Sequence, residues 1–248
     1  MDRSLYVAMN GAKQTMLAQT ANANNLANGQ TTAFKADFEQ FRSMPAFGPG
    51  YPARVFTMTE RPGTNLATGT LQTTGRDLDI AIDGKGWIAV KTKDGSEAYT
   101  RAGDLKLTPE GMLQNSNGLS VLSDTNNPIV IPPTRKIVFG GDGTISTIAQ
   151  GATANTAAIL DRIKLVNLDA SSLEKRSDGL MYKKQIGLPT PADPNIKLVQ
   201  GSLESSNVNV MAAMVEMLEL SKHYELQVKA MKSADDNAAA SAALVKLA

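Results

Sequence analysis

The chain has 248 residues, 42% of them hydrophobic and 20% charged, a composition that can bury a core and is not that of a disordered segment. Its 25 basic and 24 acidic side chains leave a net charge of +1, with the basic residues scattered, which argues against nucleic acid or an anionic membrane as a partner. Cysteine is absent, so disulfides, thiol catalysis and thiolate metal sites are excluded together.

From the N-terminus, Leu5, Met9, Ala12, Met16, Gln19, Ala23 and Leu26 follow one another at alternating spacings of four and three. This heptad seam predicts a helix over residues 3–28, ~39 Å long at about 1.5 Å per residue. It ends on Asn28 and Gly29, which both tolerate the left-handed conformation of a helix stop. Asn22, Asn24, Asn25 and Asn28 crowd that end, although asparagine is a poor helix former whose amide competes for backbone hydrogen bonds. The opening stretch MDRSLYVAMNGAKQTMLAQT lacks the basic-then-apolar layout of a secretory signal, and no apolar run approaches the ~20 residues of a membrane span. The expectation is a chain not inserted in a membrane, either cytoplasmic or exported by a route needing no cleaved signal.

Residues 42–65 carry Pro45, Pro49, Pro52 and Pro62 with Gly48, Gly50 and Gly63, so 31–70 reads as an extended linker. From Leu71 the pattern turns to short β-rich runs: LDIAI, WIAV, EAYTR, LKLT, LSVL, PIVI, KIVF and TISTI, split by turns such as KDGS, PEG and GGDG. Leu78, Ile80 and Ile82 alternate with Asp77, Asp79 and Asp83, which predicts one buried and one wet strand face. The β pattern fades after RIKLVNL and DGLMYKK, with a turn-rich GLPTPADPN before the last helix, so 71–203 is read as one antiparallel domain.

A second seam, Val210, Met214, Met217, Ser221, Tyr224, Val228 and Met231, repeats the alternating spacing, and ESSN at 204–207 offers N-cap candidates. Glu225 and Lys229 stand at the supportive i,i+4 spacing on another face, and the Ala-rich tail from Ala234 has high helix propensity. The expected fold is α+β: a 1–30 helix pairing with a 204–248 helix as an assembly domain, with an inserted all-β domain and a linker. Ala12, Gln19, Ala23 and Ser221 offer little apolar area, at roughly 25 cal/mol per Å², against an ordering cost of about 1–2 kcal/mol per residue. The terminal helices are therefore expected to be completed by other subunits, with soft methionines adapting to different neighbours.

No constellation for catalysis emerges. Alternating Asp77, Asp79 and Asp83 fit a solvated strand face better than a general acid and base pair. His223 is the only histidine, on a helix pattern, and the chain has no G-x-S-x-G elbow. GKGW and GGDG match neither phosphate-binding glycine pattern and read as turns. No nucleophile, cofactor or metal site is expected, and the protein is read as not an enzyme.

The opening MDRSLYVAMNGAKQTMLAQTANANNLANGQTTAFKADF, with its NNLAN and Phe34-Lys35 pair, resembles the N-terminal signature of the bacterial flagellar rod and hook proteins. TTGRDLDIAIDGKGWIAVKTKDGSEAYTRAGDLKLTPEGMLQNSNGLSVL is similar to that family's β-domain signature, and QGSLESSNVN to its C-terminal one. Within the family, the opening, the RSMPAFGPGYPAR connector and the modest length look most like a proximal-rod member. The chain departs from the pattern at Ala33, where the family commonly has glycine, so a more extended or helical local turn is expected there. The resemblance implies a structural subunit of the basal-body rod, sited in the periplasmic span and delivered by the flagellar type III export apparatus without a cleaved signal. It implies that the terminal helices form the inner tube around the export channel, that copies of the chain and homologous rod proteins are its partners, and that the assembly transmits torque. The expected assembly interface comprises Leu5, Met9, Ala12, Met16, Asn24, Asn25, Leu26 and Asn28, with Val210, Met214, Met217, Tyr224, Val228 and Met231. The asparagines would hydrogen-bond backbone in a crowded multi-subunit wall. A distal-rod or hook subunit, and a β-domain binding or adhesive module on a helical stalk, stand as the alternatives.

Overall fold

The computed structural model describes residues 3–45, 55–149, 158–184 and 190–247. The chain is α+β and divides into two compact units, one of residues 1–29, 37–65 and 208–248, the other of 30–36 and 66–207.

The first unit contains helix α1, Arg3–Ala27, and helix α2, Val210–Leu247. They lie side by side and antiparallel: Asn22 Nδ2 donates to the Ala213 carbonyl at 2.8 Å, while Gly11 stands against Gln227 and Gly29 against Val210. α1 stops where its backbone turns, the Asn28 N–H and Nδ2 both donating to the Asn24 carbonyl. α2 starts later than ESSN suggests. Its N-cap is Asn209, whose Oδ1 accepts from the Ala212 N–H at 3.1 Å. The Ala-rich tail continues the helix to Leu247.

The stretch read as a linker is extended but paired. Strands β1, Asp37–Pro45, and β2, Val55–Thr64, form an antiparallel hairpin with an irregularity between Phe38 and Gln40. Proline is compatible with this hairpin because each strand is an edge. The connector's residues 46–54 lie outside the described residues.

The second unit is antiparallel β throughout its described strands. In order these are β3 (Leu71–Thr73), β4 (Ile80–Asp83), β5 (Trp87–Lys91), β6 (Glu97–Thr100), β7 (Leu105–Leu107), β8 (Leu113–Asn115) and β9 (Ser120–Val121). They continue with β10 (Thr134–Phe139), β11 (Thr144–Ala149), β12 (Ala158–Arg162), β13 (Leu165–Val166), β14 (Leu173–Lys175), β15 (Met181–Lys183), β16 (Lys197–Gln200) and β17 (Ser202–Glu204). The largest sheet runs β14-β15-β6-β5-β9-β8-β7, with β13 also on β5, and β10-β11-β12 form a second sheet. PIVI makes only isolated bridges, through Pro128 and Val130. In GLPTPADPN, residues 187–189 lie outside the described residues.

The unit reaches beyond 71–203, taking in 30–36, 66–70 and 204–207, and within it β16 pairs with β4 and β17 with β3. The wet face expected opposite Ile80 and Ile82 is interrupted: Ala81 is sealed and Asp79 is buried. Asp79 accepts from Thr74 Oγ1 at 2.7 Å and faces Arg76 Nε at 3.5 Å, so its burial is offset by partners, whereas Asp77 and Asp83 are exposed. WIAV is likewise buried on both faces. Ile88 and Val90 join a cluster with Ile80, Leu105, Leu113 and Ile163, while Trp87 and Ala89 join Tyr99, Val166 and Met181 on the other side. Gly103 lets the chain cross there, since a Cβ would lie 1.8 Å from the Ile80 carbonyl oxygen.

Candidate assembly surface

Within the first unit, the residues of α1 that become buried are small: Ala8, Ala12, Thr15, Ala18, Ala21 and Asn22. On α2 they are Ala213, Leu220 and Ala234, with Val210, Met217 and Met231 half-buried. The predicted seams are thus shifted by one position at every second site. Ala8, Thr15 and Asn22 stand where Met9, Met16 and Ala23 were expected, and Ala213 and Leu220 where Met214 and Ser221 were. Apolarity favours the methionines, but interhelical distance is set by the side chains at the contact, and small ones permit closer approach. Ala12, Leu5, Leu26, Val210, Met217 and Met231 keep buried or half-buried positions.

The displaced residues face outward. Met9 is 52% exposed, Met16 61% and Met214 48%, and Tyr224 and Val228 are also exposed. Tyr6, Leu17, Met211, Val215 and Leu218 extend this apolar surface over both helices. The hairpin adds Phe38, Phe41, Met44, Val55 and Met58.

One edge of the hairpin is closed from α1. Asn10 Nδ2 donates to the Thr57 carbonyl at 2.7 Å, and one helical turn on, Gln14 Oε1 accepts from the Thr59 N–H at 3.0 Å. Two carboxamides at i and i+4 thereby substitute for a neighbouring strand, a role that i,i+4 spacing on one helix face permits. The sequence reading missed both. The available signal was the i,i+4 spacing of the two carboxamides.

The asparagines at the end of α1 have separate roles. Asn22, absent from the expected interface, is the buried donor to α2. Asn25 brackets the start of β1, its Nδ2 donating to the Asp37 carbonyl at 3.0 Å and its Oδ1 accepting from the Asp37 N–H at 3.1 Å. Asn28 closes the helix, and the Asn24 side chain is exposed. Three of the four amides therefore already bind backbone of their own chain. His223 is exposed, and among the described residues no group of carboxylates and histidine is arranged to hold a metal ion. No helix of the described residues is long and apolar enough to cross a membrane.

Residues 199–244 match the C-terminal domain of the flagellar basal body rod FlgEFG proteins, and residues 81–147 match the D1 domain of the flagellar hook proteins FlgE/F/G. The flagellar basal-body rod protein FlgF of Escherichia coli K12 is 38% identical over 243 residues, covering 96% of each chain. FlgF of Salmonella typhimurium is 35% identical over 242 residues, again 96% of each. The basal-body rod protein FlgG of Bacillus subtilis is 30% identical over 259 residues, 95% of this chain and 96% of that one. With its terminal helices, β unit and near full-length likeness, the chain belongs to the flagellar basal-body rod protein family.

Proposed function

We propose that the chain is a structural subunit of the flagellar basal-body rod. It assembles through its terminal helices and hairpin with copies of itself and with homologous rod proteins. The observation that carries this reading is the contrast between the two units. The β unit buries most of its isoleucines and leucines, with Leu71, Leu107, Ile159 and Leu160 exposed, whereas most of the large exposed apolar side chains lie on the helices and hairpin. Large apolar side chains exposed in that number mark an interaction site, and covering each one fully is worth about 1.5–3 kcal/mol. Repetition of one heterologous contact whose rotation does not close builds a helical tube rather than a ring. The role is then mechanical, torque carried by many small contacts around a central export channel, with no catalytic turnover. The higher identity to the FlgF relatives than to the FlgG relative favours the proximal over the distal rod. Delivery to the periplasmic span by the flagellar export apparatus, without a cleaved signal, belongs to the same reading.

The test replaces Met16 and Met214 together by serine. Both are exposed, so the monomer should keep its stability to within about 0.5 kcal/mol by urea unfolding. Cells carrying only this variant should lack assembled rods and fail to swim. Normal swimming with normal rods would sink the proposal.

A further inference from the structure

Three separate stretches of the β unit meet at one buried cluster of charge. Lys35, Arg101 and Glu204 are 4%, 3% and 1% exposed. Glu204 Oε1 accepts from Lys35 Nζ at 2.6 Å and from the Gly69 N–H at 2.9 Å. Its Oε2 lies 3.2 Å from Arg101 Nε without hydrogen-bond alignment, so both of those atoms are left without a hydrogen-bond partner. Lys35 Nζ also donates to the Ala67 carbonyl at 2.8 Å, and Arg101 donates to the Gly84 carbonyl. Two cations thus face one anion, away from water. Burial pulls both the Lys35 ammonium and the Arg101 guanidinium below their ordinary values, with Glu204 opposing. Lys175 is a further cation nearby, its Nζ donating to the Lys35 carbonyl at 2.7 Å and standing 4.2 Å from the Phe34 ring centroid.

Around this cluster the two ends of the unit are tied to each other. The Ala33 N–H donates to the Glu204 carbonyl at 2.8 Å, the Asn207 N–H to the Phe34 carbonyl at 3.2 Å, and the Ala36 N–H to Asn207 Oδ1 at 2.8 Å. The Ser205 N–H donates to Thr70 at 2.9 Å, and the passage is so close that a Cβ on Gly69 would lie 2.0 Å from the Ser205 carbonyl oxygen. Ala33 itself sits at φ 57°, the left-handed region. The more extended or helical turn expected from an alanine is not formed, because the bond to Glu204 holds the backbone in the glycine-like conformation. Left-handed geometry costs an L-residue about 1–2 kcal/mol.

Excess positive charge, an unsatisfied pair and a strained residue therefore fall on the same few residues; elsewhere in the β unit Asp79 and Glu97 also carry an unsatisfied oxygen and Asn126 is left-handed, but there each of these anions faces a single cation, Arg76 or Lys164. We infer that Lys35, Arg101 and Glu204 form a clasp that opens as one piece, releasing segments 30–36 and 204–207 together while the β core stays folded. Partial openings of this kind draw on the least stable cooperative part of a protein.

Native-state hydrogen exchange on the full chain tests this. The amides of Ala33, Gly69, Ser205 and Asn207 report the clasp, and those of the buried residues Ala89, Leu113 and Ile129, bonded to backbone carbonyls of the β unit, report the core. The four clasp amides should share one opening, at least about tenfold more frequent than that of the core. Ala33→Gly relieves the strain and should slow all four by about fivefold, leaving the core amides unchanged. Glu204→Gln, which leaves two cations without an anion, should abolish clasp protection and preserve core protection. If Glu204→Gln fails to fold, the Ala33→Gly comparison decides alone. Clasp amides that exchange at the core rate, or an Ala33→Gly effect confined to Ala33, would overturn the inference.

Discussion

Tyr182 shows what a single buried hydroxyl can do to the alkaline limit of this fold. Its phenol donates to Asp178 Oδ2 at 2.7 Å, the Arg176 guanidinium lies 4.0 Å from the ring centroid, and the residue is buried. Burial, reinforced by the donated bond and the Asp178 charge, raises its pKa from 10.0 to about 12. The folded state keeps a proton that the unfolded state releases, so this contribution is complete below pH 10 and is lost as the pH rises through 12. Stability of the wild-type chain should fall between those values more steeply than that of Tyr182→Phe, as urea midpoints across the range would reveal. Equal slopes would mean the phenol ionises as in the unfolded chain. None of this could be read from the sequence, where Tyr182 sat in a plain β run. Buried charge was equally hidden: Lys35 and Glu204 stand 169 positions apart, and Asp79 looked like a solvated residue. Alternation identifies which face a residue is on, but not what covers that face.

At the scale of elements, the terminal helices were legible in length and spacing, and their shared face was misjudged by one position. A seam of period three and four can be drawn through Met9 and Met16 or through Ala8 and Thr15 with equal regularity. Hydrophobicity selects the first and close packing the second. The difference is testable at Ala12, common to both. Ala12→Leu puts a branched side chain at a buried position next to Gly11, which stands against Gln227 of α2, and overpacking of this kind costs about 1–3 kcal/mol. A urea midpoint unchanged from wild type would show that the helices do not meet along this stripe. The hairpin was hidden for a different reason. Its prolines and glycines are loop signals, and the partner that closes β2 is a pair of carboxamides on a helix far from it in sequence, which no local pattern announces.

At the scale of the whole molecule, the β unit was legible as an insertion between helices, but its boundaries were not. Strand runs begin at Leu71 and thin out after Lys184, yet the unit is completed by β16 and β17 and by the segment 30–36, which carries no strand pattern at all. That segment belongs to it through side chains and single backbone bonds, above all Lys35 to Glu204. A chain of residues 66–207 therefore keeps every described strand of the unit but leaves Glu204 facing Arg101 alone, with the Ala67 carbonyl losing one donor. Breaking a buried ion pair by removing one partner costs about 3–5 kcal/mol, although here the lost partner is one of two cations, which places the expected loss at or below the low end. A chain of residues 30–207 restores Lys35 and should unfold at a higher urea concentration with a similar slope. Coincident midpoints would show that the β unit is finished without its leading segment, and that the clasp joins the ends without stabilising what lies between them.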